Sequence, residues 1–302
     1  MYDIIGDVHG YASRLEALLK ELGYNKQQGV WRHSERILIS VGDLVDRGPE
    51  QRETVNIIRN MQEAGQALAI MGNHEYNAVG WVMKDVQGNY LRPHTDRNRS
   101  QHEAFLQACE GHKNWYKSTI EWFKSLPVYL DLPDLRVVHA CWHGPSKEIL
   151  DQHTDSSGAL LEEAWPLSGD KRNPLHQALE ILSKGWEVDL PEGYSFFDKD
   201  SHERFKIRTQ WWREDGRTYR DLAIGVDDMS RLPTTEIDGA ALPGYDNEKP
   251  LFLGHYWMRG KPHLQSRYIA CVDWTVVEPG GLMAAYRFDG EQQLCDSKFV
   301  AV

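Results

Sequence analysis

Gly6-Asp7-Val8-His9-Gly10, Gly42-Asp43-Leu44-Val45-Asp46-Arg47-Gly48 and Gly72-Asn73-His74-Glu75 decide how this 302-residue chain is read. Each packs metal-ligand side chains among glycines, and each follows a short apolar run of strand type: Tyr2–Ile5, Ile37–Val41 and Ala67–Met71. Two more histidines stand in the same setting, His139 after Leu135-Arg136-Val137-Val138 and His255 after Leu251-Phe252-Leu253-Gly254. Strand ends that bring Asp, His, Asp, Asn, His and His to one place lay out a two-metal hydrolase. Carboxylate, amide oxygen and imidazole are the donors that Mn²⁺, Fe²⁺ and Zn²⁺ accept. One such motif alone would be an ordinary Gly-Asp or Gly-Asn turn; the ordered set carries the information.

Working outward, Ser13-Arg14-Leu15-Glu16 is a capping-box signature that predicts a helix from about residue 14. Leu15, Leu18, Leu19 and Leu22 follow at helical spacing, with Gly23 as the stop. Pro49 predicts a second helix, running to about Ala64. The start is therefore β-loop-α-β-loop-α-β, which implies an α/β fold with parallel strands and crossover helices. In such sheets ligands collect outside the carboxyl ends of the strands, where these motifs fall. Residues 76–125 read as mainly helical with a polar loop at Arg92–Ser100. Pro127–Asp131 and Leu135–His139 read as a hairpin turned at Pro133-Asp134. Residues 144–245, rich in Pro, Gly, Trp and charge with helical patches such as Leu175–Leu182, read as an insertion over the site, where specificity would reside. Leu251–Leu253, Tyr268–Trp274, Leu282–Phe288 and a run near Leu294–Phe299 are the closing strands.

Hydrophobic content of 41% and charged content of 26% are ordinary for a globular protein. No apolar run approaches the roughly 18 residues of a membrane span. The amino end enters a strand at once, leaving no room for a signal peptide, and the four cysteines show no Cys-x-x-Cys spacing. Reduced thiols and a cytoplasmic location are the expectation. A formal charge of −11 argues against coating nucleic acid, but not against a small phosphorylated substrate, since bound cations reverse the sign locally. Of the eleven tryptophans, Trp165, Trp186, Trp211, Trp212, Trp257 and Trp274 lie in the carboxyl half. They read as core and lid packing, or as an aromatic wall for a base or aryl group.

The motifs resemble those of the calcineurin-like metallophosphoesterases, most closely the phosphoprotein-phosphatase branch that includes the symmetrical diadenosine tetraphosphatases. The resemblance runs from residue 2 to about 76 and returns around His139, His255 and the carboxyl end. It implies a four-layer α/β/β/α sandwich of two mixed sheets flanked by helices. It makes residues 1–302 one domain carrying a helical insertion (78–125) and a cap or specificity insertion (144–245). Cys271-Val272-Asp273 with Gly280-Gly281-Leu282 is similar to the family's closing strands, although Trp274 stands where Thr-Gly is commoner. Gly254-His255-Tyr256-Trp257 departs from the Gly-His-x-His variant, because an indole N–H cannot ligate a metal.

The resemblance implies two divalent ions, Mn²⁺ first, with Fe, Zn, Ni or Co as alternatives. Asp7, His9 and Asp43 would hold one; Asp43, bridging, with Asn73, His139 and His255 would hold the other. Taken alone, His255 reads equally well as an incidental histidine. A metal-bridging hydroxide would attack phosphorus in line. Arg47 would bind the phosphate, and His74, oriented by Asp46, would be the general acid. Arg208 or Arg213 is the candidate second clamp, although either reads as a solvated charge. His143 would face the substrate or its neighbours, or be a loop histidine.

A His-Glu-x-x-His peptidase is excluded, since Ala78, Leu106 and Lys206 stand four residues after the histidines of the His-Glu pairs. A Gly-x-x-x-x-Gly-Lys-Ser/Thr loop and a Gly-x-Ser-x-Gly elbow are absent. The expected activity is hydrolysis of phosphate monoesters, on phosphoprotein or small esters. The alternative is hydrolysis of dinucleoside polyphosphates of the diadenosine tetraphosphate type. A scaffold without activity is the remaining reading.

Overall fold

Alternate residues along the strands divide between two buried faces, and that alternation builds the layers. Ile4, Ile39, Val41 and Ile70 meet Leu135, Val137, Phe252, Ala270 and Val272 in one core, while their neighbours Ile5, Leu38, Val138, Leu251 and Leu253 pack in another. Period-two burial on both faces is what strands sandwiched between a second sheet and a helix layer require. The computed structural model describes residues 1–197, 202–238 and 242–302.

The first sheet runs Asp273–Trp274, Leu282–Phe288, Tyr2–Ile5, Ile37–Ser40 and Ala67–Ala69, with Phe299–Ala301 also pairing with Leu282–Phe288. Tyr2–Ile5, Ile37–Ser40 and Ala67–Ala69 are parallel, as the β-loop-α pattern requires, and Leu282–Phe288 runs antiparallel to the first (Ile4 opposite Tyr286). The second sheet is ordered Ile269–Cys271, Leu251–Leu253, Arg136–Val138, Tyr129–Asp131, parallel except for the last pair. That antiparallel pair is the hairpin expected at Pro133-Asp134. Helices Ala12–Glu21 and Gln51–Glu63 bury Leu15, Leu18, Val55 and Ile58 in the outer core. On the other side, Leu150 of helix Gly144–Asp151 and Leu175, Leu179 and Leu182 of Pro174–Lys184 share that cluster with Val138 and Leu251. The chain is thus a four-layer α/β/β/α sandwich with two mixed sheets.

Several boundaries differ from the sequence expectation for tertiary reasons. Ser13 caps nothing: the helix begins at Ala12, and the Ser13 N–H donates to Glu50 Oε2 at 2.8 Å. The second helix starts at Gln51 rather than Pro49, because Gly48 and Glu50 donate N–H groups to His9 and Gly10 carbonyls. The polar run from Arg92 hides a helix start, with Thr95 Oγ1 accepting from Asn98 N–H at 3.2 Å and Asp96–Cys109 helical. The last strand is Phe299–Ala301, because Asp296–Lys298 takes a 3₁₀ turn first.

Within 144–245, the strands Glu187–Asp189, Lys206–Thr209 and Ala223–Ile224 form a separate small sheet. It has its own core of Phe196, Ile207, Leu222, Ala223, Leu232 and Ile237. Residues 198–201 and 239–241 of that stretch lie outside the described residues. Trp165, Trp211, Trp212 and Trp274 are buried packing residues, while Trp186 and Trp257 are half-buried. All four cysteines are free thiols. Among the described residues no helix is long and apolar enough to cross a membrane.

Candidate metal centre

Five strand ends feed one buried point. Tyr2–Ile5 leads to Asp7 and His9, Ile37–Ser40 to Asp43, Ala67–Ala69 to Asn73, Arg136–Val138 to His139 and Leu251–Leu253 to His255. Asp43 lies at the middle. Its Oδ2 is 3.8 Å from His9 Nε2, 3.8 Å from His74 Nε2 and 3.3 Å from His139 Nε2. Asp7 Oδ2 is 3.9 Å from His9 Nε2, and Asn73 Oδ1 is 3.2 Å from His139 Nε2. His9, Asp43 and His74 make one triplet with donor atoms within 4.8 Å of one another, and Asp43, His139 and His255 make a second. Asp43 belongs to both.

The donor atoms suit cations. His9 Nδ1 donates to the Val45 carbonyl at 3.0 Å and His139 Nδ1 to the Val41 carbonyl at 2.7 Å, so each ring turns its Nε2 lone pair inward. Among the described residues, His9 Nε2 and His255 Nε2 are buried without a hydrogen-bond partner, an arrangement that is costly unless something electron-accepting meets each lone pair. Two carboxylates, an amide oxygen and three imidazoles match the preferences of divalent transition ions.

Electrostatics agree. Burial raises the Asp7 carboxyl well above its ordinary value, and Asp273 and Asp43 add to this. Burial, then the neighbouring His74, lowers His9 to about 4, leaving its ring neutral and able to ligate. Burial alone would raise Asp43, yet His139 and His74 outweigh it and hold the carboxylate well below the usual range. The site concentrates negative charge that a cation would relieve.

The flanks carry the other groups. His74 Nδ1 lies 2.6 Å from Asp46 Oδ2. Burial would lower His74, but Asp43 and Asp46 outweigh it and raise its pKa. Arg47 is exposed beside this pair, its guanidinium 5.6 Å from the Trp257 ring centroid. Arg208 comes from the Lys206–Thr209 strand; after burial, its charge is the largest influence depressing His255. Arg213 instead pairs with Asp215 at 2.9 Å and donates to the Asp221 carbonyl at 2.7 Å. His143 bonds Ser146 Oγ at 2.8 Å and packs on Trp186.

Three residues to which the sequence assigned no role also face this region. Glu75 accepts the N–H groups of Asp43 (2.8 Å), Leu44 (2.8 Å) and Gly72 (2.9 Å), although burial and Asp43 push its carboxyl up to about 7. Asp273, pushed up to about 6 by burial, accepts from Trp257 N–H at 2.7 Å. His102 bonds the second oxygen of Asp46 at 2.9 Å. Glu75 closes the Gly-Asn-His-Glu motif and was legible there. His102 lies on a helix with no spacing signal toward the cluster.

The sandwich and the Asp, His and Asn cluster at its strand ends together point to one family. The chain belongs to the calcineurin-like phosphoesterases, whose family model matches residues 2–222. It is similar to the asymmetrical bis(5'-nucleosyl)-tetraphosphatase PrpE of Bacillus subtilis, 42% identical over 142 residues, covering 46% of this chain and 57% of that protein. It is also similar to the symmetrical bis(5'-nucleosyl)-tetraphosphatase of Vibrio cholerae, 26% identical over 270 residues, covering 84% and 83% of the two chains. The chain spans little more than half the length of its first curated relatives, all named as PrpE. In fold it is similar to a serine/threonine phosphatase from Saccharomyces cerevisiae, TM-score 0.52 at 15% identity, over 100% of this chain and 78% of that one.

Proposed function

We propose that the chain hydrolyses phosphate monoesters with two divalent cations, Mn²⁺ first among them, that share Asp43. The observation that carries this is the convergence of His9, His74 and His139 Nε2 on Asp43 Oδ2, within 3.3–3.8 Å. Asp7, His9 and Asp43 would hold one ion, and Asp43, Asn73, His139 and His255 the other. Bound there, divalent ions supply Lewis acidity and lower the pKa of water from 15.7 to near 7. The protein's own groups do the rest. Arg47 binds the phosphoryl oxygens as a planar, permanently charged donor. Arg208, whose charge acts on His255, would add a second positive charge from the small sheet. His74 directs Nε2 at the reacting centre and gives its proton to the leaving oxygen, while Asp46 fixes the ring through Nδ1.

A general acid matters most for a poor leaving group such as an alkoxide, which favours monoesters of alcohols. A second reading, hydrolysis of dinucleoside polyphosphates, is supported by the similarity to tetraphosphatases. The half-buried Trp257, with the Arg47 guanidinium over its ring, would be the aromatic group beside a bound base. Purified protein assayed with a phosphopeptide, diadenosine tetraphosphate and an aryl phosphate across several divalent ions separates the two. Faster turnover of the phosphopeptide is expected. Activity confined to the dinucleotide would establish the second reading, and inactivity on all three with Mn²⁺ present would contradict both.

A further inference from the structure

Asp46 has two carboxylate oxygens, and each meets a histidine. Oδ2 is 2.6 Å from His74 Nδ1, and Oδ1 is 2.9 Å from Nδ1 of His102. A carboxylate only accepts, so both ring nitrogens donate. His102 is fully buried on the Asp96–Cys109 helix, its ring 5.7 Å from Trp81 and 5.1 Å from Phe105 between centroids. Its Nε2 is buried without a partner. A proton there would leave an unpaired buried N–H, so the ring is held as the Nδ1–H tautomer. Trp81 in turn stacks on His94 at 3.8 Å, and His94 on Tyr90 at 4.0 Å. An aromatic column from the surface thus packs the back of this histidine.

We propose that His102 is a positioning residue of the reaction: by occupying Asp46 Oδ1 it stops the carboxylate from turning, so that Oδ2 holds His74 with Nε2 aimed at the leaving group. This rests on the reading of His74 as general acid. It gives the otherwise unassigned 78–125 segment a part in the chemistry without any contact to substrate. A histidine that only filled the core would affect stability and leave untouched how the rate depends on the leaving group.

The test compares His102→Asn with His102→Gln in the full chain, on an alkyl and an acidic aryl phosphate with Mn²⁺ supplied. An asparagine amide N–H can stand where Nδ1–H stands; a glutamine amide reaches beyond it. His102→Gln is expected to lower kcat on the alkyl ester about 10- to 100-fold and on the aryl ester by less than about threefold, with KM unchanged. His102→Asn is expected to stay within about threefold of wild type on both esters. In metal-free protein, the downfield ring N–H proton of His74 is expected to persist in wild type and His102→Asn and to broaden in His102→Gln. If the glutamine variant does not fold, His102→Phe, which fills the ring's volume without a donor, replaces it with the same expectations. Equal losses on the two esters, or identical behaviour of the asparagine and glutamine variants, would overturn the proposal. Failure of the underlying reading shows separately, as a wild type inactive on both esters or a His74→Asn variant that slows both alike.

Discussion

His9, Asp43, Asp46, Arg47 and His255 all have φ between 47° and 73°, a region that side chains bearing a Cβ seldom occupy. Each such residue costs about 1–3 kcal/mol and persists only where surrounding contacts hold it. Here the contacts are identifiable: Glu75 takes the N–H of Asp43 and of Leu44, Gln51 takes that of Asp46 at 2.7 Å, and Asp7 takes that of His255 at 3.1 Å. The backbone is bent so that short side chains from separate loops meet. At this scale the catalytic assignments are open to direct test. His74→Asn is expected to slow alkyl phosphates about 10²- to 10⁴-fold and aryl phosphates with acidic leaving groups far less; equal losses in kcat on the two would remove the general-acid role. Arg47→Lys keeps the charge but loses the planar fork. It is expected to raise KM and lower kcat by about tenfold or more, and wild-type constants for that variant would show that Arg47 does not grip the phosphate.

Elements place these residues, and glycines let the elements approach. A Cβ on Gly254 would stand 2.2 Å from Asp7 Oδ1, so the loop after the Leu251–Leu253 strand presses directly on the first aspartate. Gly254→Ala is expected to destabilise the fold by about 1–3 kcal/mol and to weaken divalent-ion binding. Denaturant unfolding and calorimetric titration with Mn²⁺ would show both, and unchanged ion affinity would mean that Asp7 is not a ligand. Much of this placement was legible in sequence. Tyr2–Ile5, Ile37–Ser40 and Ala67–Ala69 each end in a glycine-flanked motif, and their spacing with intervening helices required parallel pairing. What was not legible depended on partners distant in the chain. The Ser13 cap failed because Glu50 competes for its N–H. His102, 56 residues from Asp46, announces itself only once the helices pack. Of the two arginines weighed as a second clamp, the sheet pairing of Arg208 with Ile224 and Glu187, and the pairing of Arg213 with Asp215, were equally invisible.

Over the whole molecule, the two sheets carry the proposed ligands from both halves of the chain, so the cluster forms only when the sandwich closes. Divalent ions should therefore stabilise the fold. Saturation at about 100 times Kd is expected to add about 2.7 kcal/mol per site, visible as a rise in Tm that EDTA reverses; a Tm indifferent to Mn²⁺ and EDTA would contradict this. Far from the centre, Arg36 joins the first strand to the last part of the chain, bonding Asp3, Asp289 and the Tyr2 and Phe288 carbonyls. Hydrogen bonds from Arg36 and Lys298 push Asp289 down to about 2, against about 3.9 in an unfolded chain. A carboxylate depressed on folding stabilises above its unfolded pKa and loses that contribution as pH falls through the folded one. Asp289→Asn should thus lower stability by at most about 1 kcal/mol at neutral pH, with the gap to wild type closing between pH about 4 and about 2. A gap that stayed constant over that range, measured by urea unfolding, would contradict the ion-pair account.

Two cations sharing Asp43 are the arrangement on which every proposed catalytic role depends. Elemental analysis of Mn²⁺-loaded protein, with anomalous scattering from its crystals, tests it most directly when wild type is set beside Asp43→Asn. Two ions per chain flanking Asp43 in the wild type, and loss of both in the variant, are expected. A single ion, ions bound elsewhere, or full occupancy retained by Asp43→Asn would contradict the account.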